Sequence, residues 1–172
     1  AEQRTKPDAI PQRIDVASSE LAEARSGFVA LRQRYTAVKQ RIDASGLDRA
    51  TGLMLRREFE TLPDVAALNK RASRVDQDLG EIEFLLFERR DLRIGSDDIN
   101  QVRQQLMSEL NTDVRAQPGL EAVATELVTA RRDLLAELES DADRYQDILV
   151  DLDRESESVL EAALEYESFI RE

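Results

Sequence analysis

Apolar residues recur at alternating spacings of three and four along most of this 172-residue chain. The longest such stretch, residues 120–172, contains no Gly or Pro, and this spacing predicts one long coiled-coil helix. Its predicted stripe is Leu120, Val123, Leu127, Ala130, Leu134, Leu138, Ala142, Tyr145, Leu149, Leu152, Ser156, Val159, Ala163, Tyr166 and Ile170. The two four-residue steps around Leu138 interrupt the heptad and predict a local relaxation of the supercoil.

A second regular heptad lies near the start of the chain and predicts a helix over residues 15–44. Its seam positions are Ile14, Ala17, Leu21, Ala24, Phe28, Leu31, Tyr35, Val38 and Ile42. Ser45-Gly46 then ends the helix, because Gly readily takes the left-handed conformation found at helix ends. Residues 1–13 contain Pro7 and Pro11 among polar residues, and we interpret them as a flexible lead-in.

Three shorter helices are predicted between these two, over residues 48–62, 64–94 and 97–113. Asp48 is a suitable N-cap for the first of them. Pro63 separates the first from the second, because proline lacks a backbone donor and clashes with the preceding turn, and we expect either a kink or a break there. Gln117-Pro118-Gly119 is a turn signal before the last helix.

These lengths predict an all-α fold: an elongated antiparallel coiled coil or three-helix bundle with a short extra helix at its distal tip. The predicted domain is a single one over residues 14–172. A composition of 35% charged and 5% aromatic residues is typical of coiled coils rather than of rounded cores. No apolar run is long enough to span a membrane.

The negative charge is concentrated near the end of the chain. The net charge is −12, and residues 133–172 carry 14 acidic and 3 basic side chains. Such a surface does not attract nucleic acid or anionic lipid through charge, so neither is expected as a partner. We interpret most of this charge as a solvated helix face.

Enzymatic activity is not expected, and neither is a cofactor. The chain has no His and no Cys, which removes the usual bases, nucleophiles and transition-metal ligands. Asp143, Asp147 and Asp151 follow one another on one helix face and form a candidate cation-attracting surface. A specific metal site is not expected, because Ca²⁺ needs six to eight oxygens from a backbone that wraps around it.

Two arginine pairs and six seam residues complete the candidate positions. Arg56-Arg57 and Arg131-Arg132 are interpreted as interhelix ion pairs that set register, since acidic residues flank them. The seam residues, for which core packing is the preferred interpretation, are Leu138, Tyr145, Leu149, Leu152, Val159 and Tyr166.

Two stretches together resemble a known family. The first is Leu55-Arg56-Arg57 followed by Leu62-Pro63-Asp64. The second is Ala130-Arg131-Arg132-Asp133-Leu134-Leu135, then Asp143-Arg144-Tyr145, Leu149 and Leu152, and finally Glu165-Tyr166 with Phe169. Their order resembles the periplasmic helical region of the larger members of the mechanosensitive channel of small conductance (MscS) family, which precedes the first membrane helix.

The resemblance implies a periplasmic domain at the bacterial inner membrane, belonging to a channel that opens under bilayer tension. It further implies that the pore lies outside this chain and that the full-length protein assembles with other subunits, as homoheptamers do in that family. Periplasmic proteins or the cell wall are further candidate partners. The alternative is a coiled-coil scaffold or adaptor that belongs to no channel and binds a partner protein.

Overall fold

The structure, a computed structural model, describes residues 10–46, 48–94, 98–111 and 118–172. In these ranges every regular element is an α-helix. The helices are α1 (Ile10–Ser45), α2 (Arg49–Glu60), α3 (Val65–Ile94), α4 (Ile99–Glu109) and α5 (Leu120–Arg171). The long helices pack against α5, so the predicted all-α helical bundle is confirmed.

The first helix begins earlier than the sequence predicts. Ile10 is only 2% exposed and extends the apolar stripe of α1 by one four-residue step before Ile14. Pro11 is compatible with this start, because the first turn of a helix needs no backbone N–H partner and favours the backbone angle that proline adopts. Residues 10–13 are therefore helical, which corrects the lead-in predicted for residues 1–13. Residues 1–9 lie outside the described residues.

Pro63 lies in a break between two helices and not in a kink. The Leu62 amide donates to the Phe59 carbonyl at 3.3 Å, which closes the last turn after α2. The Asp64 side chain accepts a hydrogen bond from the Ala66 amide at 2.9 Å and caps the start of α3. Since α2 and α3 each have their own terminating contacts, the chain restarts at Asp64 instead of bending through the proline.

The other helix ends follow local chemistry. Asp98 accepts hydrogen bonds from the Asn100 and Gln101 amides at 2.9 and 3.1 Å and caps α4, which is shorter than the 97–113 predicted. Gly46 has φ of 72°, and its amide donates to the Ile42 carbonyl at 2.8 Å. These contacts satisfy backbone groups that a helix leaves unpaired at its ends.

Asp48 caps α2 in a way that depends on pH. Its carboxylate accepts a hydrogen bond from the Thr51 amide at 2.7 Å, and this bond holds the pKa of Asp48 below its ordinary value. A depressed folded-state pKa stabilises the fold above the unfolded pKa, and the stabilisation is lost as pH falls through the folded pKa. Asp48→Ala should therefore lower the melting temperature at neutral pH and lower it less at about pH 2.

The matched control for Asp48 is Asp76→Ala, which removes an exposed carboxylate from the middle of α3. Thermal unfolding followed by circular dichroism at both pH values measures the effect. An Asp48→Ala deficit that stays constant with pH, or that Asp76→Ala reproduces, would contradict the capping role.

The chain divides into two compact units. Unit 1 comprises, among the described residues, 10–11 and 81–146, and unit 2 comprises 12–80 and 147–172. In unit 1 the Arg89 guanidinium donates to the Leu138 carbonyl at 2.7 Å, which fastens α3 to α5. Arg103 of α4 contacts the Thr125 hydroxyl at 3.4 Å. The single domain predicted over residues 14–172 stays a prediction.

Ion pairs show the relative directions of the helices within unit 2. They are Arg13 with Asp78 (2.8 Å), Glu20 with Arg74 (2.7 Å), Arg25 with Asp151 (3.0 Å) and Arg32 with Glu165 (2.6 Å). Rising residue numbers on α1 meet falling numbers on α3 and rising numbers on α5. In this unit α1 and α3 are therefore antiparallel, whereas α1 and α5 are parallel.

The buried stripe at the start of α5 is shifted by one residue from the predicted stripe. Ala124 and Val128 are 3% and 5% exposed, whereas Leu127 is 61% exposed. The half-buried Leu135 and Leu138 and the buried Ala142 continue this stripe in heptad register, without the predicted stutter. This part of α5 has two neighbouring apolar stripes, one through Leu127 and one through Val128. The stripe through Val128 continues to Ala142 in one heptad register, so a single helix face packs toward α3 and α4.

Candidate functional site

The three aspartates of the candidate cation-attracting surface have different surroundings. Asp143 and Asp147 are exposed, and Asp151 is half-buried. Asp151 pairs with Arg25 at 3.0 Å and with Arg154 at 3.7 Å, so its charge is already compensated. Within the described ranges, no group of three or more His, Cys, Asp or Glu side chains is placed to hold a metal ion.

Among the residues that the structure describes, the two arginine pairs do not form the interhelix ion pairs predicted for them. Arg56 contacts Glu60 of its own helix at 3.2 Å, and Arg132 contacts its neighbour Asp133 at 2.7 Å. Arg57 and Arg131 are exposed. These side chains lie on solvent-facing parts of α2 and α5, where local acidic residues are the nearest partners. The interhelix pairs use other arginines instead.

The six seam residues named from the sequence are covered to different degrees. Leu138 is half-buried, and the others are buried: Tyr145, Leu149, Leu152, Val159 and Tyr166. Ser156, also on this seam, is 6% exposed, and its hydroxyl has no hydrogen-bond partner within the described part of the chain. Most of this seam serves packing, but Tyr166 also takes part in a polar network.

That network, which we name the Tyr166 junction, consists of Tyr166, Glu58, Arg34 and Thr61 of unit 2. The Tyr166 hydroxyl donates to Glu58 Oε2 at 3.0 Å. Arg34 donates to the same oxygen from Nε at 3.0 Å and from Nη2 at 2.6 Å, and it also donates to the Thr61 hydroxyl. One carboxylate oxygen of α2 therefore accepts hydrogen bonds from both α1 and α5.

The electrostatics of the junction favour a neutral tyrosine. Tyr166 has an exposed fraction of 0%, and this burial raises the pKa of its hydroxyl well above the ordinary value. The hydrogen bond to Glu58 and the negative charge of that carboxylate raise it further, while Arg34 acts in the opposite direction. Tyr166 is consequently a permanent hydrogen-bond donor to Glu58 at physiological pH.

Aromatic rings surround the network. The Tyr35 ring lies edge-on to Tyr166 and to Phe169, with centroid distances of 5.4 and 5.2 Å. The same apolar cluster contains Leu31, Val38, Ala162, Ala163, Met54, Leu55, Leu62 and Ile170. Edge-to-face rings add to the stabilisation from area burial, and Tyr places its apolar ring and its polar hydroxyl in different surroundings.

The apolar cluster around the junction contains residues from both stretches that carry the family resemblance. Leu55 and Leu62 come from the first stretch, and Tyr166 and Phe169 come from the end of the second. The heptad pattern predicts only a packing role for Tyr166 and does not indicate Arg34 or Glu58 as part of a site. A signal was present, because a tyrosine on a buried seam requires a partner for its hydroxyl.

A surface groove of about 580 Å³ lies between α1 and α3 of unit 2. Part of its charged lining is internally paired: Arg74 contacts Glu20 at 2.7 Å, and Arg71 donates to the Glu20 carbonyl at 3.0 Å. Because Glu20 already binds both arginines, we base no site on this groove.

Comparisons with protein-family models, with curated proteins and with solved structures find no match to this chain. Within the described ranges, none of the helices combines the length and the apolar character that a membrane crossing requires. A functional proposal therefore depends on the geometry of the Tyr166 junction and on the sequence resemblance that coincides with it.

Proposed function

We propose that this chain is the periplasmic helical domain of a tension-gated mechanosensitive channel, with the pore formed by segments outside it. The observation that supports the proposal is the Tyr166 junction. Tyr166, from the second stretch that resembles the MscS family, donates a hydrogen bond to Glu58 at 3.0 Å, and the apolar cluster around it contains Leu55 and Leu62 from the first stretch. The domain contributes to assembly or modulates gating, and it carries no enzymatic activity.

The junction provides contacts through which force could pass between α5 and the helices α1 and α2. Tyr166 and Phe169 lie in the last two turns of α5, where a helix would fray if nothing held it. Hydrogen bonding to α2 and ring contacts to α1 hold this part of α5 in place. Force applied along α5 would then pass to α1 and α2 through these short-range contacts. Tilting of the domain would in turn change the orientation of the segment that leads from α5 to the membrane.

The proposed partners are other copies of the same subunit, with periplasmic proteins or the cell wall as further candidates. Residues 133–172 carry 14 acidic and only 3 basic side chains, which gives this part of the chain a negative potential. Near a channel mouth such a potential concentrates cations within about 8 Å at physiological salt. Asp143 and Asp147 are the exposed members of that surface.

The first experiment reads the coding sequence beyond Glu172. Several apolar segments of about twenty residues are expected there. In the full-length protein, Tyr166→Phe and Glu58→Gln should then change the tension at which membrane patches open, because each weakens the hold on α5. Glu60→Gln is the matched control, since Glu60 is exposed on the same helix as Glu58.

Two results would remove the channel proposal. One is the absence of apolar membrane segments in the coding sequence. The other is an unchanged threshold, conductance and assembly when the whole domain is deleted. A normal threshold in the two junction variants, combined with a changed threshold on deletion, would retain the domain's role but assign it to other contacts.

The alternative function is a scaffold or adaptor that binds a partner protein outside any channel. The observation that favours it is the exposure of Phe84 and Phe87 on α3, at 63% and 65%. Large exposed aromatic side chains are typical of protein interaction surfaces. A coding sequence that ends at Glu172 or continues into a water-soluble domain would favour this function over the channel.

A further inference from the structure

The first two heptads of α5 carry an apolar stripe that unit 1 does not bury. This outer stripe consists of Leu120, Val123, Leu127, Ala130 and Leu134, at spacings of three and four. Val123, Leu127 and Leu134 are 52%, 61% and 56% exposed. Leu120 is half-buried and Ala130 is exposed. Isolated exposed apolar residues are ordinary, but five positions in heptad register form a coiled-coil seam that no described helix fully covers.

The charges beside the outer stripe have a specific pattern. With Leu127 and Leu134 at the a positions, Glu126 and Asp133 fall at g, and Arg131 falls at e. Glu126 and Arg131 are exposed, and neither forms an ion pair with another residue that the structure describes. A partner helix lying on this stripe would meet an acidic flank on one side and a basic residue on the other.

We propose that the outer stripe pairs with the outer stripe of a second copy of this chain, in parallel and in register. In a parallel pair each g position faces the e position five residues later on the other helix. Glu126 of each copy then faces Arg131 of the other, which gives two ion pairs by symmetry. An antiparallel pair would instead set g against g and e against e, so acidic residues would face acidic residues and Arg131 would gain no acidic partner.

The contact is short and therefore weak in isolation. Five seam positions span about two heptads, fewer than a free-standing coiled coil needs. Attachment of the copies to a common assembly would raise their effective concentration to the millimolar range and compensate for low affinity. The inference does not depend on the channel proposal, because a scaffold would use the same pairing.

Cysteine crosslinking tests both the contact and its direction, since the chain has no cysteine of its own. Val123→Cys, Leu127→Cys and Leu134→Cys are introduced singly into the full chain, which is then oxidised mildly. In a parallel, in-register pair each residue faces its own counterpart, so all three variants should form disulfide-linked dimers. Ala136→Cys, exposed on the same helix but off the stripe, is the matched control.

Crosslinking that is equal in the control and the three variants would overturn the proposal. Crosslinking at only one of the three positions would also overturn it, because an antiparallel pair brings like residues together only at its centre.

Charge reversal provides an independent measurement by sedimentation equilibrium. Glu126→Arg or Arg131→Glu alone replaces two attractions with two repulsions and should weaken self-association about tenfold. The double variant should restore the original affinity. Glu157→Arg, on an exposed position of the same helix, shows the effect of net charge alone. If the double variant did not recover the wild-type affinity although circular dichroism showed an intact fold, the Glu126–Arg131 pairing would be refuted.

Discussion

Replacing Leu149 with aspartate is expected to lower the free energy of unfolding by about 4–5 kcal/mol. Leu149 is 1% exposed in unit 2, so the substitution removes a buried apolar side chain and places a charge where no water solvates it. Small domains have a total stability of about 5–15 kcal/mol, and a loss of this size removes much of it. Urea unfolding followed by circular dichroism measures the change.

The neighbouring residue supplies the control for Leu149→Asp. Val150 is 44% exposed, and Val150→Asp introduces the same charge one residue along the helix. Its expected effect is within about 0.5 kcal/mol, because the new carboxylate remains hydrated. If both variants unfolded at the wild-type midpoint, Leu149 would not lie in the core and the register of α5 in unit 2 would be wrong.

Tyr166→Ala is expected to cost about 3–5 kcal/mol. The substitution empties a site with an exposed fraction of 0% and removes the edge-on contact with Tyr35 at 5.4 Å. It also withdraws the hydroxyl donor from Glu58. The loss should appear as a lower urea midpoint, accompanied by faster hydrogen exchange in the last turns of α5, where the junction holds the helix.

Tyr166→Phe separates the hydroxyl from the ring. It should cost about 1 kcal/mol at neutral pH, because the ring remains and Glu58 keeps its hydrogen bonds to Arg34. The raised folded pKa of Tyr166 stabilises the fold below the unfolded pKa of about 10, and this stabilisation is lost as pH rises toward the folded value. The stability difference between wild type and Tyr166→Phe should therefore shrink above about pH 10. A constant difference would mean that the hydroxyl is not held in the buried, hydrogen-bonded site that raises its pKa.

Local sequence signals account for most of the helix boundaries. Asp48, Gly46 and Asp98 mark helix ends through contacts that span four residues or fewer, so the sequence alone contains the information. Pro63 predicted an interruption, but whether the chain bends or restarts there depends on whether Asp64 caps the next helix. The start at Ile10 was missed because two prolines suggested irregular structure, although proline suits the first turn of a helix.

Long-range contacts account for what the sequence did not reveal. Glu58 and Tyr166 are 108 residues apart in the chain, and no periodicity relates them. Which arginines form ion pairs between helices, as Arg25 and Arg32 do, depends on the relative placement of three helices and not on acidic residues nearby in the sequence. The same holds for α5, where tertiary packing selected the stripe through Val128 over the one through Leu127.

The two stripes on the first part of α5 differ by one residue, and consecutive residues of a helix point about 100° apart around its axis. Val128 and Leu127 therefore face two different directions, and covering one leaves the other accessible. A neighbour can dock on Leu127 without displacing the packing at Val128. Substitutions at Leu127 and Val128 should consequently fall into different phenotypic classes, association defects without unfolding at the first and folding defects at the second.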